Sequence, residues 1–272
     1  MRINHTLAAA LAAAGVAAGP SNGSPPLTPI EPWNVHYEPN SCSAQREYGD
    51  KTDPIFLGFV PSIEGGTYEL LIATNGPGPS FAEELEGSVD FGHGPMKAWL
   101  LHFGARKPTS VNFYKFRISA NDMAEATSAE RVTFHIHGHS DLSFTLDVVP
   151  QVLAKLDDCT KDLRRFWNMR PAQQKNIATP AMGDVRGIFS PSDYPSEALQ
   201  RGQHGEVQFT LLIDEKGKVA ECDILKPSGI PALDGMGCQV IRERAKFKPA
   251  LDRQGRPMRS TFVTPPVVWL TY

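Results

Sequence analysis

His135, His137 and His139 stand at alternate positions, and alternate residues on a strand share a face, so this run could gather imidazoles around Zn, Cu or Ni. Val132, Phe134 and Ile136 take the opposite, core-type face, leaving His135 and His137 on the wet side, and Gly138-His139-Ser140-Asp141 reads as a hairpin turn. The main reading is a polar strand face with no metal. A metal-binding protein using His135 and His137, with Asp141 as a third candidate ligand, is an alternative. Ser, His and Asp are all present, but no G-x-S-x-G elbow or comparable nucleophile setting appears. Glu83-Glu84 and Asp157-Asp158 show no burial signal that would raise a carboxyl pKa and read as solvated faces or loops. Gly92-x-Gly94 and Gly76-Pro77-Gly78-Pro79 lie between strand-like runs rather than ahead of a helix, which makes them turns and not phosphate loops. No catalytic residue is assigned, no cofactor is expected, and the chain reads as a non-enzyme.

Cys42, Cys159, Cys222 and Cys238 are the remaining reactive side chains. They show no C-x-x-C spacing and do not look like a zinc module. Three pairings are possible, and two cysteines in each half of the chain favour 42 with 159 and 222 with 238. Disulfides imply an oxidising compartment, and the N-terminus agrees. Met1-Arg2-Ile3-Asn4-His5 precedes an almost unbroken stretch of Ala, Leu, Val and Gly over residues 7–18, ending in small residues, which is the shape of a secretory signal. A bilayer-spanning helix needs about 20 apolar residues. The expectation is a periplasmic protein with no stable membrane span, or an inner-membrane-anchored one if the signal is not cleaved. Cys42 is too far along to carry a lipoprotein's lipid.

With 27 basic and 30 acidic residues the formal charge is −3, and no basic run stands out, so no nucleic-acid partner is expected. The 272 residues suffice for one large or two modest domains. After a signal at 1–18 and a Pro/Ser/Gly-rich flexible leader at 19–31, short aromatic and β-branched runs recur between turn residues at 33–38, 55–61, 68–74, 96–103, 110–119, 131–137 and 142–148. These predict an antiparallel β sandwich or barrel over residues 32–168, interrupted by a brief helix at 122–129 with Asn121 as N-cap. Trp33, Trp99, Phe113, Phe116 and Trp167 read as its core, or as the lining of a ligand cavity. Val152, Leu153, Leu156, Leu163, Phe166 and Trp167 fall near a helical stripe, so an amphipathic helix closes this part, with Cys159 placed to staple it to the first strands. Residues 169–190 show no sustained period and read as a linker.

From 191 to 272 the pattern changes again. Asp193 is placed to cap a short helix with Pro195 in its first turn. Val207, Phe209, Leu211 and Ile213 alternate with Gln208, Thr210 and Leu212 as a strand, Asp214-Glu215-Lys216-Gly217 turns, and residues 218–226 return, with Ala220, Cys222 and Ile224 on one face and Val219, Glu221 and Asp223 on the other. A helix over 231–245 should cover one sheet face. The last run, 260–272, is β-branched and aromatic, but Pro265-Pro266 cannot donate to a ladder, which places it at a sheet edge or bulge. The fold class is α+β.

The order of these elements, together with Tyr194-Pro195, Gly205 before the first strand, Gly217 in the hairpin and Phe247-x-Pro249 after the helix, resembles the C-terminal domain of TonB. The resemblance covers about residues 191–272. It implies a periplasmic protein-binding module that takes up a peptide segment of an outer-membrane transporter by β-strand addition, in the service of energy transduction and transmembrane transport. Carried onto this chain, the contact edge is Phe262, Val263, Thr264, Val267, Val268, Trp269 and Leu270. The expected partner is a TonB-dependent outer-membrane transporter, or a second copy of the chain in a self-associating structural envelope protein. The chain departs from the family in two ways. A β-rich domain stands where the family has a long Pro-rich spacer, and Ala245-Lys246 precede Phe247 where the family often has Trp-Arg. Force transmission by this chain alone is therefore not expected.

Overall fold

A computed structural model describes residues 25–79, 82–105 and 110–271. The signal segment at 1–18 and the leader as far as residue 24 lie outside the described residues. In chain order the first half comprises β1 (Asn34–Tyr37), β2 (Cys42–Asp50), β3 (Asp53–Pro61), β4 (Thr67–Asn75), β5 (Glu83–Asp90), β6 (Met96–Gly104), β7 (Val111–Ser119), the short helix α1 (Ala120–Ala124), β8 (Arg131–Ile136), β9 (Leu142–Thr145) and the long helix α2 (Val149–Phe166). All nine strands join one antiparallel sheet in the order β1-β2-β3-β4-β7-β6-β5-β8-β9. The sheet curls on itself as a half-barrel with one lined face, rather than two stacked layers.

The curl is closed by residues expected to be loose. Leu27 N–H donates to Ser143 O at 2.7 Å and Thr145 N–H to Leu27 O at 3.0 Å, while Gly49 N–H donates to Thr28 O and Ile30 N–H to Glu47 O. The segment around Leu27 to Ile30 thus ties β9 to β2. Alternation explains the interior. Tyr114, Phe116 and Ile118 of β7 and Ala98 and Leu100 of β6 point into the same core as Tyr48, Phe59, Phe134 and Phe144, whereas Lys115 and Arg117 point out. Of the expected aromatic core, Phe116 and Trp167 are buried and Trp33 packs on Phe59 at 4.6 Å, but Trp99 and Phe113 alternate onto the outer face.

Helix α2 packs its buried Val152, Leu156, Cys159 and Leu163 against this core, and Cys159 is bonded to Cys42 at the start of β2. The expected helix at 122–129 is shorter and begins earlier. Ser119, not Asn121, is the N-cap of α1, with Asp122 completing a capping box, and residues 125–127 continue as a 3-10 turn.

The second half runs α3 (Pro171–Gln174), β10 (Ile177–Thr179), β11 (Met182–Gly183), α4 (Ser196–Gln200), β12 (Gly205–Ile213), β13 (Val219–Lys226), α5 (Pro231–Arg244), β14 (Phe247–Lys248), β15 (Ala250–Asp252), β16 (Pro257–Met258), β17 (Ser260–Val263) and β18 (Val267–Trp269). The segment read as a linker is structured. β10 pairs with β15 and β11 with β14, and Ala181 and Val185 are buried in the same core as β12. Strands of two or three residues carry no periodic signal, which is why the pattern read as none.

In the main sheet of this half β12 is central, with β13 on one side and β17 and β18 on the other. Val207, Phe209, Leu211 and Ile213 form its core face with Leu233 and Ile241 of α5. Gly237 lets that helix approach, since a Cβ there would lie 2.5 Å from the Phe209 ring. Leu212, on the opposite face of β12, is buried in the core of the first half. The expected alternation along β13 fails at a bulge where the register shifts between Leu212 and Ile213. There Val219 joins the core of the second half with Cys222, while Ala220 packs against that of the first.

Candidate functional site

The outer side of β12 is built in two pieces. β17 pairs with residues 210–213 and β18 with residues 205–207, and Pro265-Pro266 separate them. Thr264 holds the break together, because its Oγ1 accepts from Phe209 N–H at 3.0 Å and its own N–H donates to Phe209 O at 2.9 Å. Gln208 Nε2 donates to Thr264 O at 2.8 Å. A side-chain oxygen thus stands in for a ladder carbonyl at the break between the two strands.

The seven residues expected at the edge separate by face. Thr264, Val267 and Trp269 are buried, and Phe262 is half-buried against Phe247 at 4.9 Å. Val263, Val268 and Leu270 are 50%, 54% and 55% exposed. Phe189 and Tyr194 meet the Trp269 ring edge-on at 5.5 and 5.4 Å. Three of the seven are therefore anchors, and three present apolar surface.

The residues that carried the resemblance have local reasons. The Tyr194 hydroxyl donates to Gln203 O, fixing the loop on either side of α4, and Pro195 occupies the N-cap of that helix. Asp193 does not cap it, contrary to the sequence expectation. Its carboxylate accepts from Ser190 and from both terminal nitrogens of Arg244, at 2.7 and 2.6 Å. The Arg244 guanidinium, followed by the Ser190 bonds, holds the Asp193 carboxyl down at about 2. A Cβ on Gly205 would lie 2.9 Å from the Ser228 side chain. Gly217 has φ +78° and sits beneath Phe247, whose N–H donates to Gly217 O at 3.1 Å. Phe247 in turn covers Gly183, where a Cβ would come within 2.5 Å of the ring. Cys222 of β13 is bonded to Cys238 of α5.

Residues 190–269 match the family model of the Gram-negative bacterial TonB protein C-terminal. This part of the chain is similar to the TonB C-terminal domain, a family of protein-interaction modules. No curated protein matches the chain. The TonB match covers the element order from α4 to β18 and leaves the half-barrel outside it.

The half-barrel carries its own polar clusters. His135 Nδ1 lies 2.8 Å from Asp141 on the exposed strand face, and His137 is also exposed. Among the described residues no group of three or more His, Cys, Asp and Glu side chains is arranged to hold a metal ion. His139, read as a turn residue, reaches Tyr114 OH at 3.3 Å. His102, which the sequence reading passed over, is buried at the rim of the same cluster. It is stacked on Tyr114 at 4.4 Å, with Nδ1 2.6 Å from Glu83 and Nε2 2.7 Å from Asn112. Both ring nitrogens are thereby engaged. Glu83-Glu84 form part of strand β5 rather than a solvated loop, and burial raises the Glu84 carboxyl. Asp157 and Asp158 do lie on the exposed side of α2, paired with Lys161.

A cleft of about 1500 Å³ separates the half-barrel from the TonB domain. Lys115 and Glu69 pair across its floor at 3.1 Å, and Arg117 reaches Asp223 at 3.2 Å. Burial alone would raise the Glu69 carboxyl, but Lys115 and Arg117 hold it below its ordinary value. Asp234 is fully buried at the start of α5, and that burial raises its carboxyl although Ser228 donates to it. Among the described residues no helix is long and apolar enough to cross a membrane.

Proposed function

We propose that this chain is a periplasmic protein whose TonB domain recruits an outer-membrane transport component by adding a strand of the partner to the β17–β18 edge. The observation that carries the reading is the division of that edge into buried anchors and exposed contacts. Thr264, Val267 and Trp269 fix the strands to β12, while Val263, Val268 and Leu270 stand half-exposed beside it. A strand that is firmly held yet apolar on its free side is what strand addition uses, with main-chain bonds for affinity and alternate side chains for selectivity. Export through the segment at 1–18 and two disulfides suit an oxidising compartment. An uncleaved segment would make the protein inner-membrane anchored. We read residues 32–168 as the β-rich N-terminal domain and 191–272 as the recruiting domain.

The test is titration of the full oxidised chain with peptides from outer-membrane transporters, followed by backbone NMR. Resonances of residues 260–270 should move on binding, and Val263→Glu with Val268→Glu should weaken affinity at least about tenfold, a loss of ~1.4 kcal/mol. A peptide set that moves none of these resonances overturns the reading. The same exposed edge favours one second reading, self-association in a structural envelope protein. A mass that rises with concentration and falls back in the Val268→Glu variant would select it.

A further inference from the structure

A sheet with β12 at its centre has two edges, and the other one is β13. Backbone groups of neighbouring antiparallel residues alternate between facing the partner strand and facing away. Phe209 directs both its N–H and its C=O toward Thr264, so its partner across β13, Ile224, must direct its own groups outward. Cys222 follows by the same alternation, and Ala220, at the bulge, turns its C=O outward to Asn40. This outward row is closed by side chains. From the half-barrel, Asn40 Nδ2 donates to Ala220 O at 3.0 Å and Arg117 Nη2 to Ile224 O at 3.2 Å. Between them the TonB domain satisfies its own Cys222, whose N–H donates to Glu221 Oε1 at 2.9 Å and whose C=O accepts from Arg242 Nη2 at 3.4 Å. Asn40 also donates to Glu221, and Ser62 and Arg117 both donate to Asp223.

Asn40, Ser62 and Arg117 all belong to the half-barrel. Arg117 is only 9% exposed, yet its Nε and Nη1 find no partner among the described residues. A buried guanidinium left partly unsatisfied makes this contact costly to hold, and so exchangeable.

We propose that β13 is a second strand-addition edge, kept shut by the half-barrel, and that the occupant it would otherwise take is the β17–β18 edge of another copy of this chain. Pairing of β13 with itself about Cys222 would set Glu221 against Asp223, and pairing about Asp223 would set that residue against itself; like charges placed opposite are unfavourable. The stretch from Ser260 to Trp269 carries no charge and meets no such conflict. Two different open edges joined head to tail leave a free edge at each end, so the contact repeats and propagates until a ring closes or a filament grows. With β13 capped, strand addition ends after one partner. The half-barrel thus makes a two-edged module one-edged, which holds whichever partner β17–β18 takes.

The test is sedimentation of the full oxidised chain across a wide concentration range. Wild type should go no further than a dimer. Asn40→Ala/Arg117→Leu should form a concentration-dependent ladder of larger species, with the apparent association constant raised about tenfold or more. Adding Val263→Glu/Val268→Glu, or Ile224→Pro, to that variant should abolish the ladder. Should the Arg117 change prevent folding, Asn40→Ala/Ser62→Ala keeps the Arg117 ion pair and decides the matter with a weaker ladder. A folded release variant with the wild-type mass at every concentration overturns the proposal, as does a ladder indifferent to Val263→Glu/Val268→Glu.

Discussion

Replacing Gly217 by alanine should damage the TonB domain far more than the loss of one glycine's freedom would suggest. The hairpin turn between β12 and β13 places Gly217 at φ +78°, and an L-residue there costs about 1 kcal/mol. The larger cost is contact. A Cβ at Gly217 would lie 1.9 Å from Phe247 O and 2.9 Å from Phe247 C, both backbone atoms that no rotamer change can move. Relief requires lifting the chain after α5. That breaks the Phe247 N–H bond to Gly217 O, worth ~1 kcal/mol. It also shifts the buried Phe247 ring off Gly183 and Phe262, costing part of the ~3 kcal/mol that full removal of such a side chain would. The sum is about 3–4 kcal/mol.

Gly229 supplies the control, because its φ is +84° but nothing lies within 4 Å of its added Cβ, so Gly229→Ala should cost only the conformational ~1 kcal/mol. Urea unfolding of the oxidised chain, followed by far-ultraviolet circular dichroism, gives both values from midpoints at unchanged slope. Equal costs at the two positions would refute the argument that Phe247 clamps the turn.

Removing Cys222 and Cys238 together, as Cys222→Ala/Cys238→Ala, should lower stability by about 3 kcal/mol, and Cys42→Ala/Cys159→Ala by about 4–5 kcal/mol because the loop it opens is longer. Urea midpoints under non-oxidising handling check the order, and a larger loss from the short loop would contradict it. The Asp193 carboxyl sits at about 2 in the folded chain against an ordinary 3.8, so it binds its proton more readily unfolded. Its contribution is present above pH ~4 and is lost as pH falls toward ~2. Arg244→Met should therefore reduce stability at pH 6 yet approach wild type near pH 2; a gap that stays constant with pH would exclude the ion pair as its source.

What the sequence revealed, and what it hid, follows from where the apolar residues stand. β12 and α5 were legible because alternation in the one and helical spacing in the other are sustained over nine or more residues. β13 was legible from the turn at Gly217, although its own alternation breaks at the bulge. β2 was not, because its inward positions are Cys42, Ala44, Arg46 and Tyr48, small or polar by type yet all buried. Arg46 is tolerated inside because it donates to Glu31 O and pairs with Asp147. β5 reads as an acidic loop, and its place in the sheet depends on Gly87, where a Cβ would come within 2.9 Å of Leu100 and Phe116. The edge residues were named from the sequence as one run. Only the fold separates Val268 from Val267 as contact from anchor, since Pro265-Pro266 reset the phase between β17 and β18.

That reset sets how a partner strand could gain affinity at the edge. β17 and β18 offer four and three residues, and the prolines between them provide no donor. Each main-chain bond to a partner adds a net ~0.5–1.5 kcal/mol, and association itself costs several kcal/mol before any surplus appears. Two short tracts therefore cannot bind tightly through backbone bonds alone. Burial of Val263, Val268 and Leu270 has to supply the difference, at ~25 cal/mol for each Å² of apolar surface covered. Affinity at this edge should thus follow the apolar fit of the partner's side chains more closely than the length of the strand it adds. A partner segment truncated beyond the reach of Val268 should lose less than one that keeps its length but places a charge against that residue.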